Sequence, residues 1–172
     1  GKEVAQISSE SLTARVKKLN NHGRPPKLVA ILVGDDSASA TYVAMKERAC
    51  HSLGIETEIK RLKKDTSTTE LQQIIKDLND DQTVDGILLQ HPVPKQIDEI
   101  KCFNTICIEK DVDGVTSEGI GNLAMGLNAF GSCTPLGIMR ILDHYKIDLE
   151  GMNALVIGRS QILGKPMAAM LL

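Results

Sequence analysis

Two side chains one helical turn apart, Tyr42 and Lys46, are the first candidates for chemistry, because the segment carrying them should turn both inward. From Ser39 to Leu53 the pattern is helical. At about 100° per residue, Tyr42, Lys46, Ala49, Cys50 and Leu53 fall in one sector, opposite Glu47, Arg48 and His51. A lysine then sits near the middle of an apolar stripe. An ammonium held away from water loses hydration, which favours the neutral amine and lowers its pKa toward the range useful for proton transfer. A phenol one turn earlier would lie beside it on the same face. The alternative is a lysine whose stem follows the core while its charge reaches water, with Tyr42 simply packing.

Other residues with chemical potential lie at the ends of apolar runs. Gln90 follows Val84–Leu89 and opens Gln90-His91-Pro92-Val93-Pro94. Asp111 and Asp113 sit in the turn-rich stretch Glu109–Gly114, where the plain expectation is a solvated loop. Near the end, Ala154–Ile157 reads as a buried strand running into Gly158-Arg159-Ser160-Gln161-Ile162-Leu163-Gly164-Lys165-Pro166 and then a helix from about Met167. Strand, glycine turn and helix is the geometry that presents backbone N–H groups to phosphate. Neither standard phosphate motif fits. Five residues separate Gly158 from Gly164, Pro166 stands where a P-loop needs a hydroxyl, and Ser160 replaces the second glycine of the dinucleotide fingerprint. A packing turn is the competing reading, although Arg159 could take a second phosphate such as the one that distinguishes NADP from NAD.

These residues need elements to position them. Lys2–Asn20 is an imperfect helical pattern ending at Asn20-Asn21-His22-Gly23. Leu28–Val33 is a continuous apolar run, as expected of a strand covered on both faces. After the turn Gly34–Ser37, Ser37 or Ser39 is expected to cap the Lys46 helix. Ile55, Thr57 and Ile59 alternate with charged residues, predicting a half-exposed strand near an edge. Ser67-Thr68-Thr69-Glu70 has capping-box spacing and should open a helix with Leu71, Ile74, Ile75 and Leu78 inward. Strand, helix, strand, helix, strand implies right-handed crossovers and a parallel sheet, with ligands beyond the carboxyl ends of the strands. Gln90 and the Lys46 helix can then reach one cleft. Ile97–Ile106 reads as a short helix, and Gly119, Gly121, Gly126 and Gly131 predict a flexible connection between two units. Thr134-Pro135 reads as a cap and first-turn proline, with Ile138, Ile141 and Leu142 on one side of the helix that follows. The expected architecture is α/β: a three-layer αβα parallel-sheet catalytic domain over residues 1–128, then the first part of a truncated Rossmann-type domain over 129–172.

Composition narrows the classes. With 172 residues, a net charge of −2 and four Tyr and Phe together, the chain lacks the basic footprint and stacking platforms of a nucleic-acid binder. No apolar run is long enough to cross a bilayer and no signal-peptide pattern opens the chain. Cys50, Cys102, Cys107 and Cys133 show no metal-binding spacing, so they are read as reduced thiols in a cytoplasmic setting, with Cys50 on the buried side of its helix and no metal site.

Taken together, the motifs resemble the bifunctional methylenetetrahydrofolate dehydrogenase/cyclohydrolase family over nearly the whole chain. The resemblance rests on Gly34–Ser39 leading to Tyr42-x-x-x-Lys46, on Asp85–Pro94, on Lys110–Gly114, on Cys133-Thr134-Pro135-x-Gly137, and on Val156–Ser160 with Gly164 and Pro166. It implies oxidation of 5,10-methylenetetrahydrofolate by hydride transfer to NADP⁺, then hydrolysis of the methenyl cation to 10-formyltetrahydrofolate. It implies Lys46 as the catalytic group of the hydrolytic step, Tyr42 orienting the folate, Gln90 bonded to Lys46, and Asp113 holding the pteridine. It further implies Gly158, Arg159, Ser160 and Gly164 at the NADP phosphates, and a homodimer when the cofactor domain is whole. Two positions depart from the familiar pattern: His91 stands where leucine is common, read as a wall residue with no visible partner, and Gly119 where asparagine is common. The competing expectations are an enzyme with one of the two activities, or a non-catalytic nucleotide-binding or scaffold module.

Overall fold

The computed structural model describes residues 1–172, His22 by its backbone alone. Three strands form a parallel sheet in the order β2-β1-β3: Lys27–Val33 (β1), Glu56–Leu62 (β2) and Gly86–Leu89 (β3). The register pairs Leu28 with Thr57 on one side and with Gly86 on the other. Side chains of β1 alternate between two apolar layers, as a strand buried on both faces requires. Val29, Ile31 and Val33, with Ile87 and Leu89 of β3, meet Leu71, Ile75 and Leu78 of helix α3 (Thr68–Asp80). Ala30, Leu32 and Leu88 point the other way and pack on Val43 of helix α2 (Ser37–Leu53). The three-layer αβα expectation is met, and β2 is the half-exposed edge strand that its alternation predicts. Because the chain moves from β1 to β2 and then back past β1 to β3, right-handed crossovers must place α2 and α3 on opposite faces. The reversal leaves an open crevice at the carboxyl ends of β1 and β3.

The capping box at Ser67 and Glu70 forms as the spacing requires, both reciprocal bonds being present. The cap of α2 is different from the expected serine. Asp36 accepts from the Ser39 backbone N at 2.7 Å, while Ser39 itself is buried. A carboxylate at that position satisfies an orphan N–H and complements the positive helix terminus.

Three further expectations are corrected. The glycine-rich stretch is not irregular throughout: Ser117–Ala124 is helix α5, capped by Thr116, whose hydroxyl accepts from Gly119 N at 3.0 Å, and only residues 125–132 lack a regular element. Helix α6 (Cys133–His144) begins one residue before Thr134, with Ser132 at the cap position. The Ser132 hydroxyl donates instead to the Gly114 carbonyl at 2.8 Å, which ties the helix start to the Asp113 loop. Ala154–Ile157 forms no strand and is solvent-facing, Ile157 being 94% exposed. A strand needs a neighbour to complete its ladder, and among the described residues none lies alongside. The last helix, α7 (Gly164–Met170), packs on α5 and α6, and α6 also touches α1 (Lys2–His22).

At the opposite end of the sheet Arg24 grips Asp85 bidentately, at 2.6 and 3.0 Å, and Asp85 also accepts from Lys27 N at 2.8 Å. The Arg24 hydrogen bond, ahead of smaller contributions, holds the Asp85 carboxyl below the usual carboxylate range. A depressed folded-state pKa contributes stability that is present above the unfolded value and lost as pH falls through the folded one. Urea midpoints of the parent and Asp85→Asn should therefore differ at neutral pH and converge on acidification below the ordinary aspartate range. Curves that stay parallel would rule out this ion pair as a source of acid sensitivity.

Candidate active site

The crevice at the strand ends collects most of the residues expected there. Gln90 continues β3, its backbone N donating to Ile31 O at 2.9 Å, so its side chain emerges at the mouth. Lys46, on the third turn of α2, is half-buried and its Nζ donates to Gln90 Oε1 at 3.2 Å. The helix is rotated slightly from the expected sector. Ser39 and Val43 are its fully buried residues, Val43 at 0% exposure against the sheet, so the β-branched side chain takes the core position. Lys46 and Cys50 lie half-buried at the margin of that face, and Ala49 is exposed. Tyr42 is 60% exposed and makes no hydrogen bond to Lys46 among the described residues.

The Asp113 loop is built with unusual care for a loop. Lys110 Nζ donates to three carbonyls at the end of α3, those of Leu78, Asn79 and Asp81, at 2.9, 2.7 and 2.8 Å. Asp111 is 1% exposed, not the solvated residue expected, and its carboxylate accepts from Val115 N at 3.1 Å and Thr116 N at 2.9 Å. Its backbone bridges to Ile87 of β3. Val112 fits because residue 86 is glycine: a Cβ there would stand 2.7 Å from Val112 Cγ1. Gly114, at φ +64°, lies so close to Gly131 and Ser132 that a side chain would collide with their backbone. Asp113 is thereby carried, half-buried, on a loop fixed at both ends.

Cys133, expected only as a reduced thiol, has a place beside this loop. Its Sγ donates to Val112 O at 3.4 Å, although the residue as a whole is exposed. Burial of the thiol, then the neighbouring Asp113 carboxylate, push its pKa up to about 12, with Lys46 opposing. Asp113, Lys46 and Cys133 thus share one locality. The hints in the sequence are the adjacency of Cys133 to the Thr134-Pro135 helix start and its place in the Cys133-Thr134-Pro135-x-Gly137 motif. No sequence pattern points to Glu99, which supplies the partner that His91 was expected to lack, at 2.7 Å.

The glycine turn is a close backbone crossing. A Cβ at Gly164 would collide with the Gly158 carbonyl, and it would lie 2.8 Å from Arg159 N. Ser160 closes the turn from inside, its Oγ accepting from Gly164 N at 3.2 Å and its carbonyl from Lys165 N at 3.0 Å. Ile162 packs on the main core, while Gly158, Arg159, Ser160 and Gln161 face solvent. The first amides of α7 are therefore already bonded, and a phosphate would meet the exposed stretch from Gly158 to Gln161 together with the Arg159 guanidinium. Among the described residues no three His, Cys, Asp or Glu side chains gather as a metal site, and no helix is long and apolar enough to cross a membrane.

Known proteins match this architecture over its whole extent. Residues 1–113 match the tetrahydrofolate dehydrogenase/cyclohydrolase catalytic domain and residues 132–172 match the NAD(P)-binding domain of the same enzymes. The bifunctional protein FolD of Acidobacterium capsulatum is 55% identical across all of this chain, and that of Shouchella clausii is 53% identical. The chain spans 62% of the length of these relatives. The crystal structure of the FolD methylenetetrahydrofolate dehydrogenase/cyclohydrolase from Campylobacter jejuni superposes with a TM-score of 0.96 at 42% identity, over 99% of this chain and 60% of that one. The Trypanosoma brucei enzyme, complexed with NADP cofactor and inhibitor, superposes at 0.94 with 29% identity, over 99% and 59%. With a family model over residues 1–113 and relatives more than half identical along its whole length, the chain belongs to the tetrahydrofolate dehydrogenase/cyclohydrolase family.

Proposed function

We propose that this chain carries the folate site of a bifunctional enzyme that oxidises 5,10-methylenetetrahydrofolate and hydrolyses the resulting methenyl cation to 10-formyltetrahydrofolate. The observation that carries the reading is the Lys46–Gln90 hydrogen bond at the mouth of the sheet crevice. The methenyl substrate is cationic, so it disfavours an ammonium beside it and selects the free amine of Lys46. Water adds to the methenyl carbon and gives a proton to that amine. As the carbon–nitrogen bond then breaks, the new ammonium returns the proton to the departing ring nitrogen, and the hydroxyl proton leaves to solvent as the formyl group forms. Tyr42 offers its open ring face to the flat substrate. Asp113 accepts the paired N–H groups of the pterin edge, a charge-assisted contact that fixes orientation.

For the oxidative half, NADP supplies the hydride acceptor when bound. This chain's part is to bring Gly158, Arg159 and Ser160 to its phosphates, Gly164 keeping the crossing close. We place the boundary between folate domain and cofactor domain at residues 128 and 129, and assembly as a cytoplasmic homodimer through the cofactor domain belongs to the same proposal. The four thiols, all free, suit a reducing compartment.

The hydrolytic half needs no cofactor, which makes it the direct test. The chain, mixed with 5,10-methenyltetrahydrofolate without NADP, should remove the methenyl absorbance faster than buffer does. Equal rates would defeat the assignment.

A further inference from the structure

Gln90 is held by more than its place on the strand. Its side-chain Nε2 donates to the His91 carbonyl at 2.7 Å, while its Oε1 faces Lys46 Nζ. A primary amide has a donor end and an acceptor end, so committing the NH₂ to one carbonyl decides which end meets the lysine. The His91 carbonyl is in turn set by the conformation of residues 91–93, and one carboxylate grips both ends of that short stretch. Glu99, in the first turn of helix α4 (Glu99–Phe103), accepts from His91 Nδ1 at 2.7 Å and from Val93 N at 3.3 Å through the same oxygen. A carboxylate only accepts, so Nδ1 carries the proton.

The orientation matters because an amine has one lone pair. With Oε1 toward it, Lys46 donates to Gln90 and keeps that pair for the attacking water. With the amide reversed, an N–H would occupy the pair and quench the base. We propose that Glu99 and His91 are positioning residues for the hydrolytic step, clamping the 91–93 turn so that Gln90 presents its oxygen to Lys46. This rests on the proton-transfer role given to Lys46 above. It belongs to this chain in particular, because a leucine at position 91 would have no ring N–H for Glu99 to accept.

The test compares Glu99→Ala, Glu99→Gln and His91→Leu in the 172-residue chain, following methenyl hydrolysis and the side-chain amide resonances of Gln90. Glu99→Ala and His91→Leu should lower kcat about tenfold or more with KM within about twofold, because they misplace a reacting group without removing a substrate contact. Glu99→Gln keeps an acceptor for both donors and should stay near the parent. The Gln90 amide pair should lose its distinct shifts in Glu99→Ala while the backbone spectrum of β1 and β3 holds. An unchanged kcat in Glu99→Ala or a loss confined to KM overturns the positioning role. If Lys46→Met is itself inactive, any of those results leaves the hydrolase reading standing. If Lys46→Met remains active, the hydrolase assignment fails first and this inference fails with it.

Discussion

Replacing Lys46 by Met should abolish hydrolysis of 5,10-methenyltetrahydrofolate while leaving the fold unchanged. A positioned general acid–base group contributes about 10²–10⁴-fold to rate, and Lys46 would serve the reaction twice, as acceptor from water and as donor to the leaving nitrogen. The fold should survive because Lys46 lies half-buried one turn after Val43, where an unbranched thioether fills the volume of the lysine stem. The hydrogen bond given up is that to Gln90 Oε1, whose amide keeps its bond to the His91 carbonyl. The measurement pairs the decay of methenyl absorbance with thermal unfolding by circular dichroism. A variant that melts with the parent yet hydrolyses nothing above the buffer rate is the expected result; one that hydrolyses at the parental rate would remove Lys46 from the mechanism. Lys46→Arg tests the same point from the other side. A guanidinium keeps charge and hydrogen bonding but cannot give up its proton near neutral pH, so it should be as inactive as Met.

How far this site could be foreseen depends on whether each contact is local in sequence. The sheet is legible because β1 and β3 carry unbroken apolar runs and β2 alternates, and the Ser67 capping box is contained within four consecutive residues. Lys46 and Gln90 are readable as a pair once a parallel sheet places both at strand ends. Glycine composition misleads where tertiary packing governs. Gly119 sits inside α5 because a Cβ there would come within 2.9 Å of the Thr116 hydroxyl and 3.3 Å of the buried Asp111 carboxylate, which no local propensity reports. Ala154–Ile157 has the composition of a buried strand, yet composition supplies no neighbour to pair with. The roles of Glu99 and Cys133 are hidden because their partners come from other elements, the former clamping a turn eight positions earlier and the latter facing Val112 across the α5 segment.

The second large effect should come from Asp111, buried two residues before Asp113. Its carboxylate accepts from Val115 N, at 3.1 Å, and Thr116 N, at 2.9 Å, in a loop where the side chain is almost wholly buried. Asp111→Ala leaves those two amides without an acceptor, each costing about 1–3 kcal/mol, partly offset because a buried charge no longer has to be desolvated. A net loss of about 2–4 kcal/mol corresponds to a fall of roughly 5–15 °C in Tm for a domain of this size. The damage should spread to function, since the same loop carries Asp113 and meets the start of α6 through the Ser132–Gly114 bond. Asp113→Asn separates the two contributions. It removes a charge that serves substrate and not the fold, so binding of a tetrahydrofolate analogue should weaken by about 10- to 100-fold, the worth of one charge-assisted hydrogen bond, while Tm stays at the parental value. Calorimetric titration and melting of both variants decide the matter. If Asp113→Asn destabilises as much as Asp111→Ala, the loop is held by Asp113 as well and its carboxylate is not free for a pterin; if Asp111→Ala melts with the parent, the buried carboxylate does not hold the loop.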